Sequence, residues 1–259
     1  MIVDTHAHYD DERFDEDRDE LLRGMKANGV DIIVNASAAV KGCYDSLKLA
    51  ETYDFVYFMA GIHPNETMDL EKSGVFEEIK KMAQHEKCVA VGEIGLDYYW
   101  DEPERDIQKK WFVTQLALAR DLKKPVNIHS RDAAADTLDI MKAEKAEDMG
   151  GIIHCFSYGV EMAREYLDMG FYIGVGGVVT FKNGRKLKEV VEYAPLDRIV
   201  LETDCPYLAP EPFRGHRNQS GYIDLVAEKI AEIKNVTKDE VIEATRNNAL
   251  RVYNIAGVI

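Results

Sequence analysis

The sequence is poor in cysteine, in long apolar runs and in positive charge. Its four cysteines stand at 43, 88, 155 and 205 with no C-x-x-C pair. That spread gives no disulfide framework and no zinc ribbon, and it suits a reducing compartment. The longest apolar stretches, such as 55–62, reach about eight residues, far short of the roughly 18–20 that a spanning helix needs. The first residues carry neither a basic nor an apolar leader segment, so a cytoplasmic, unprocessed chain without membrane contact is expected. Lys and Arg total 32 against 47 Asp and Glu, a net charge of −15. Such a surface is not built for non-specific polyanion binding, whose affinity comes from basic side chains releasing counterions. It leaves room for an enzyme that touches phosphate locally.

What is present is an ordinary globular composition, 46% hydrophobic and 31% charged, in 259 residues. That length is close to the roughly 250 residues of a (β/α)8 barrel. Short β-branched runs alternate with helix-period stretches, the pattern of a parallel sheet covered by helices. Strands are predicted to start near Ile2, Val30, Val56, Val89, Val126, Gly151, Tyr172 and Ile199. The starts recur at intervals near the roughly 30 residues that a strand, a crossover helix and two loops occupy. Helices are predicted over 19–27, 104–122 and 223–234, with a capping box at Thr237 and Glu240 opening a last helix to about Val252. The expected fold is a single (β/α)8 TIM-type barrel spanning 1–259.

Histidine is scarce, and its placement is informative. Of seven, His6, His8, His63, His129 and His154 fall at or just past predicted strand ends. Glu93 and Asp204 fall in equivalent places. In a parallel barrel all strand C-termini meet at one rim, so these residues converge. Singly, each has a plainer explanation: a hydrogen-bonded turn for His6 and His8, a core imidazole for His154, a helix-capping carboxylate for Glu93. Jointly they are what a divalent metal site is made of. Imidazoles and carboxylates without thiolate suit Zn²⁺ or Mn²⁺, and Mg²⁺ with several waters. His6, His8, His129 and His154 with the two carboxylates exceed the three protein ligands of one tetrahedral catalytic centre, so two cations sharing a carboxylate, with Glu93 as the bridge, account for the surplus. Alternation along a strand places Asp4 below His6 and His8, and Glu202 below Asp204, as acceptors for an imidazole N–H or for bound water. The same alternation turns Cys155 and Cys205 away from the site. His63 either donates to substrate or packs against Pro64. Arg131 either reaches substrate or pairs with Asp132 or Asp97. Lys182, Arg214 and Arg217, in loops after the last two strands, bring positive charge to the rim as phosphate-binding candidates.

The chain resembles the TatD-family metal-dependent deoxyribonucleases. The resemblance rests on Asp4-Thr-His-Ala-His8, Gly61-Ile-His-Pro64, Gly92-Glu-Ile-Gly-Leu-Asp-Tyr98, Ile128-His-Ser-Arg-Asp-Ala133, His154-Cys-Phe-Ser157, the stretch 174–183, Leu201-Glu-Thr-Asp-Cys-Pro-Tyr207 and Arg214-Gly-His-Arg-Asn218. It implies a barrel that hydrolyses DNA phosphodiesters, described for the family as 3′ to 5′ exonuclease action on single strands. It also implies His6, His8, Glu93 and Asp204 as ligands of one cation, and Glu93, His129 and His154 as ligands of the other. Ser157-Tyr158 departs from the glycine usual after the Ser or Thr there. Glu93 stands where other branches of the superfamily carry a modified lysine.

The expected chemistry is attack of a metal-activated water on phosphorus, with Asp204 as general base and His63 and Arg131 stabilising the phosphoryl oxygens. The competing expectations are hydrolysis of another ester or amide, such as a lactone, cyclic amide or aminoacyl ester, and a metal-binding scaffold without turnover. The expected substrate partner is DNA as a single strand or strand end, with no obligate protein partner. Bulk charge predicts weak DNA binding without metal.

Overall fold

The computed structural model describes residues 1–255. Eight strands, β1 (Ile2–Ala7), β2 (Val30–Asn35), β3 (Val56–Ala60), β4 (Cys88–Asp97), β5 (Val126–Arg131), β6 (Gly151–Ile153), β7 (Tyr172–Val175) and β8 (Ile199–Leu201), pair in parallel in chain order. The ring closes where Asp204 N–H donates to the His6 carbonyl at 2.9 Å and His8 N–H to the Cys205 carbonyl at 2.7 Å. This is the expected (β/α)8 barrel. Nine helices alternate with or follow the strands: α1 (Arg18–Gly24), α2 (Val40–Thr52), α3 (Val75–Ala83), α4 (Arg105–Leu122), α5 (Ala134–Ala143), α6 (Val160–Asp168), α7 (Arg185–Tyr193), α8 (Ile223–Lys234) and α9 (Lys238–Val252), counted among the described residues. No helix among them is long and apolar enough to cross a membrane.

Local chemistry sets the boundaries. The Thr237 hydroxyl accepts from Glu240 N–H while the Glu240 carboxylate accepts from Thr237 N–H, the reciprocal cap expected for α9. The helix α4 stops at Lys123, whose left-handed backbone (φ 53°) turns the chain before Pro125. Helix α1 is shorter than the predicted 19–27. Its chain leaves the helix at Met25, whose carbonyl accepts from Val30 N–H at 3.0 Å, and reverses through Gly29 at φ 85°.

Strand alternation divides the core in two. Ile2, Ile33, Phe58, Ile153, Ile173 and Ile199 pack outward under the helices. Their alternates, Val3, Ile32, Val34, Met59, Val89, Ile152, Tyr172 and Val200, form an inner cluster plugged from below by Tyr253 and Ile255 after α9. One or two steps further along the same inward rows stand Asn127 and His129 on β5, His154 past β6 and Glu202 past β8. An apolar layer thus supports a polar layer at the C-terminal rim, and Tyr253 links the two, its hydroxyl donating to the Thr5 carbonyl at 2.9 Å and accepting from Asn127 at 3.3 Å.

Candidate metal centre

Seven side chains from strands and loops far apart in sequence meet inside this rim. His6 Nε2 lies 3.1 Å from His8 Nε2. Glu93 Oε2 is 3.4 Å from the first and 3.8 Å from the second, and Asp204 Oδ1 is 3.9 and 3.3 Å away. The other Glu93 oxygen, Oε1, faces a second group: His129 Nδ1 at 2.7 Å, His154 Nε2 at 3.7 Å and His63 Nε2 at 3.9 Å. The His6 and His154 rings stack at 3.5 Å. The two carboxylate oxygens of Glu93 therefore face two different clusters of imidazoles.

Each of four imidazoles has one nitrogen committed to an acceptor outside the cluster. His8 Nδ1 meets the Ala36 carbonyl at 3.0 Å, His6 Nδ1 the Asn127 side-chain oxygen at 3.0 Å, His154 Nδ1 the Glu202 carboxylate at 3.1 Å, and His129 Nε2 the Asp97 carboxylate at 3.1 Å. Because these partners only accept, the committed nitrogen carries the hydrogen. The opposite nitrogen then points a lone pair at other lone pairs: His6 at His8, and His129 at Glu93. Such an array is repulsive unless a cation or a proton sits within it, and this donor set fits divalent cations. His63 has the reverse polarity. Its Nδ1 accepts from Asn65 N–H at 3.2 Å, so in the neutral ring Nε2 carries the hydrogen and faces the site as a donor.

The electrostatics agree. Burial alone would lower His8 and His154, yet for His8 it is outweighed by Asp204 and Glu93, and for His154 by Glu202 and Glu93, so they are pushed up to about 9 and about 10. Burial favours the neutral carboxyl at Glu93, but His6, His129 and His154 hold it well below the usual range, and His8 and His154 hold Asp204 low against the same tendency. Without metal, protons stand in for cations. Burial, reinforced by His129, takes His63 down to about 3 and keeps it neutral.

A family model described as TatD related DNase matches residues 3–254. The chain belongs to that family. The metal-dependent hydrolase YabD of Bacillus subtilis, which is itself uncharacterised, is 46% identical over 98% of this chain and 100% of its own. The crystal structure of YjjV, a TatD homologue from Escherichia coli, superposes with a TM-score of 0.90 at 31% identity, covering 98% of each chain. A lactonase from Deinococcus radiodurans shares the fold alone, with a TM-score of 0.67 at 14% identity over 97% of this chain and 95% of its own. This TatD-family protein is a metal-dependent hydrolase, and its buried rim holds several His, Asp and Glu groups able to bind metal.

Several expectations need correcting within this TatD-family site. Asp4 does not serve the imidazoles. A register irregularity between Asp4 and Ala7 breaks the alternation of β1, and the Asp4 carboxylate turns to Thr203 N–H and Oγ1 (3.0 and 2.6 Å) and the Ser220 hydroxyl (2.6 Å). Glu202 does serve one, and also accepts from Cys155 N–H at 2.6 Å. Cys155 faces the site instead of turning away, because β6 has ended and its backbone is left-handed (φ 44°); its sulfur falls within 4.8 Å of donor atoms of His154 and Asp204. Burial, with Asp204 and Glu202, keeps that thiol protonated in the metal-free site. Cys205 is buried, as expected.

The basic residues are dispersed. Arg131 is exposed and lays its guanidinium on the Tyr99 ring at 3.7 Å, in place of a pair with Asp132 or Asp97. Arg217 pairs with Asp17, with contacts of 2.8 and 2.5 Å. Arg214 rests on Phe181 at 4.1 Å with Glu211 at 4.0 Å, and Lys182 is exposed beside it. Tyr158, in place of the usual glycine, bonds Ser130 at 2.9 Å and so ties the loop after β6 to the end of β5.

The residues missed by sequence reasoning are Asp97 and Asn127, which orient His129 and His6. Both were signalled by alternation. Asp97 shares parity with Glu93 on β4, and Asn127 with His129 on β5. Two buried glutamines of α4 steady the approach loops: Gln115 clamps Ile62 N–H and carbonyl (2.7 and 3.1 Å) next to His63, and Gln108 clamps those of Asp97 (2.9 and 3.0 Å).

Proposed function

We propose that the protein is a divalent-metal-dependent deoxyribonuclease that removes nucleotides from single-strand ends, in the 3′ to 5′ sense its family resemblance implies. The observation that carries this reading is the set of four imidazoles, each anchored by one nitrogen and presenting the other around Glu93 and Asp204. His6, His8, Glu93 and Asp204 would hold one cation and Glu93, His129 and His154 a second, with Glu93 shared because its two oxygens face the two groups. When bound, Mg²⁺, Mn²⁺ or Zn²⁺ supplies Lewis acidity that makes a water acidic near neutral pH and draws charge from phosphoryl oxygens.

The protein's own residues do the rest. Asp204, whose side chain is 16% exposed against 4% for Glu93, is the carboxylate open to an incoming water and takes its proton. His63 presents Nε2–H, a neutral donor that can hydrogen-bond a phosphoryl oxygen without surrendering its proton. Arg131 stands at the rim as a positively charged contact. The buried walls exclude water from all but the reacting face.

Hydrolysis of single-stranded DNA, compared with lactones, cyclic amides and aminoacyl esters in the presence of each ion, tests the substrate. Activity confined to the other esters or amides would contradict the deoxyribonuclease reading. Asp204→Asn should lower DNA hydrolysis by about 100-fold or more. Near wild-type turnover by that variant would remove Asp204 from the mechanism. Metal uptake with no turnover of any substrate would favour a scaffold, although none of the six expected donors is missing.

A further inference from the structure

A chain of net charge −15 cannot hold the non-reacting part of a nucleic acid by bulk attraction, and Arg217 at its rim is paired with Asp17. Affinity along the strand must come from elsewhere. The loop after β4 carries Tyr99 and Trp100, adjacent, 55% and 65% exposed, their rings meeting edge to face at 5.1 Å. The other tryptophan, Trp111, is buried in the helix layer. The exposed pair is firmly mounted: Asp97 Oδ1 accepts Tyr99 N–H at 2.9 Å and Trp100 N–H at 3.3 Å, while Asp97 Oδ2 holds His129 of the metal-facing cluster. One face of Tyr99 is covered by the Arg131 guanidinium. Across the centre, Tyr207, 46% exposed, stands 6.2 Å from the His8 ring.

We propose that Tyr99 and Trp100, backed by Arg131, form a stacking platform for an unpaired nucleobase adjoining the phosphate under attack. The inference rests on the nucleic-acid reading of the site and deepens it. Every base has a π-face and stacks on an aromatic ring whatever its identity, so a platform of this kind is tolerant of sequence. Bases within a duplex are already stacked on one another, so the platform selects single strands. The guanidinium on Tyr99 adds the positive charge that the neighbouring phosphate requires.

The test compares the metal-loaded protein on a single-stranded oligodeoxynucleotide and on the same strand made abasic at its terminal positions. Wild type should prefer the intact strand by about 5- to 100-fold in kcat/KM, the range that loss of one stacked base implies. Trp100→Ala should lose most of that discrimination and Trp100→Phe should keep it. Indole fluorescence should be quenched by the intact oligonucleotide, and this quench should be absent in Trp100→Phe. A wild type that cleaves intact and abasic ends alike, or a Trp100→Ala variant that keeps the preference, overturns the platform while leaving the nuclease reading standing. Failure of wild type to bind or cleave any single strand overturns both, as does an indole response to a protein partner with none to DNA.

Discussion

The hydrogen-bond polarity of individual imidazoles separates ligand from donor in this site. His63 and His129 have rings 4.3 Å apart, yet His63 accepts a backbone N–H on Nδ1 while His129 faces the Asp97 carboxylate with Nε2. Asp97 therefore fixes which nitrogen of His129 is free. In Asp97→Asn, the amide oxygen would keep the N–H groups of Tyr99 and Trp100 and the NH₂ would turn to His129, forcing the hydrogen onto Nδ1. The expected result is a loss of metal affinity of about 10- to 100-fold, with an inverted His129 tautomer in ¹⁵N NMR and the fold retained. Unchanged ion affinity in that variant would show that Asp97 does not orient the ring.

At the scale of elements, the site depends on how neighbouring strands share space. Gly174 of β7 faces Glu202 beyond β8, and a Cβ there would lie 2.4 Å from a Glu202 carboxylate oxygen. Glu202 is fully buried and bonded to His154 and Cys155, so it has little freedom to move. Gly174→Ala should destabilise the protein by about 1–3 kcal/mol and weaken metal uptake through His154, both measurable by thermal unfolding with and without ion. An unchanged Tm would mean that the carboxylate relaxes freely. Much of this architecture was legible in the sequence, because β-branched runs at regular intervals and inward rows at period two are local signals. Where alternation failed, at Asp4 and at Cys155, a bulge and a left-handed residue had reset the phase. Neither leaves a mark in composition. Nor could the pairing of Arg217 with Asp17, some 200 positions away, be read without the fold.

For the whole molecule, the formal charge of −15 includes Glu93 and Asp204, which lie among imidazoles and are candidates to hold cations whose charge that sum omits. Metal and proton compete for the same nitrogens, and the direction follows from the raised values. His8 and His154, at about 9 and about 10 in the metal-free protein, support its fold fully below the ordinary imidazole value near 6.5, and that support is lost as pH rises through 9 to 10. Glu93 and Asp204, held low, act oppositely: their support is present above ordinary carboxylate values and fades as pH falls below them. The metal-free Tm should therefore decline from neutral to alkaline pH, while added ion stabilises more strongly as pH rises. The most direct measurement is calorimetric titration of the metal-stripped protein with a single divalent ion near neutral pH, in buffers of differing ionisation enthalpy, followed by assay of hydrolysis. The arrangement predicts uptake of two ions per chain with release of protons, and recovery of activity on loading. A stripped protein that stays fully active, or that binds ion without releasing protons, would contradict it.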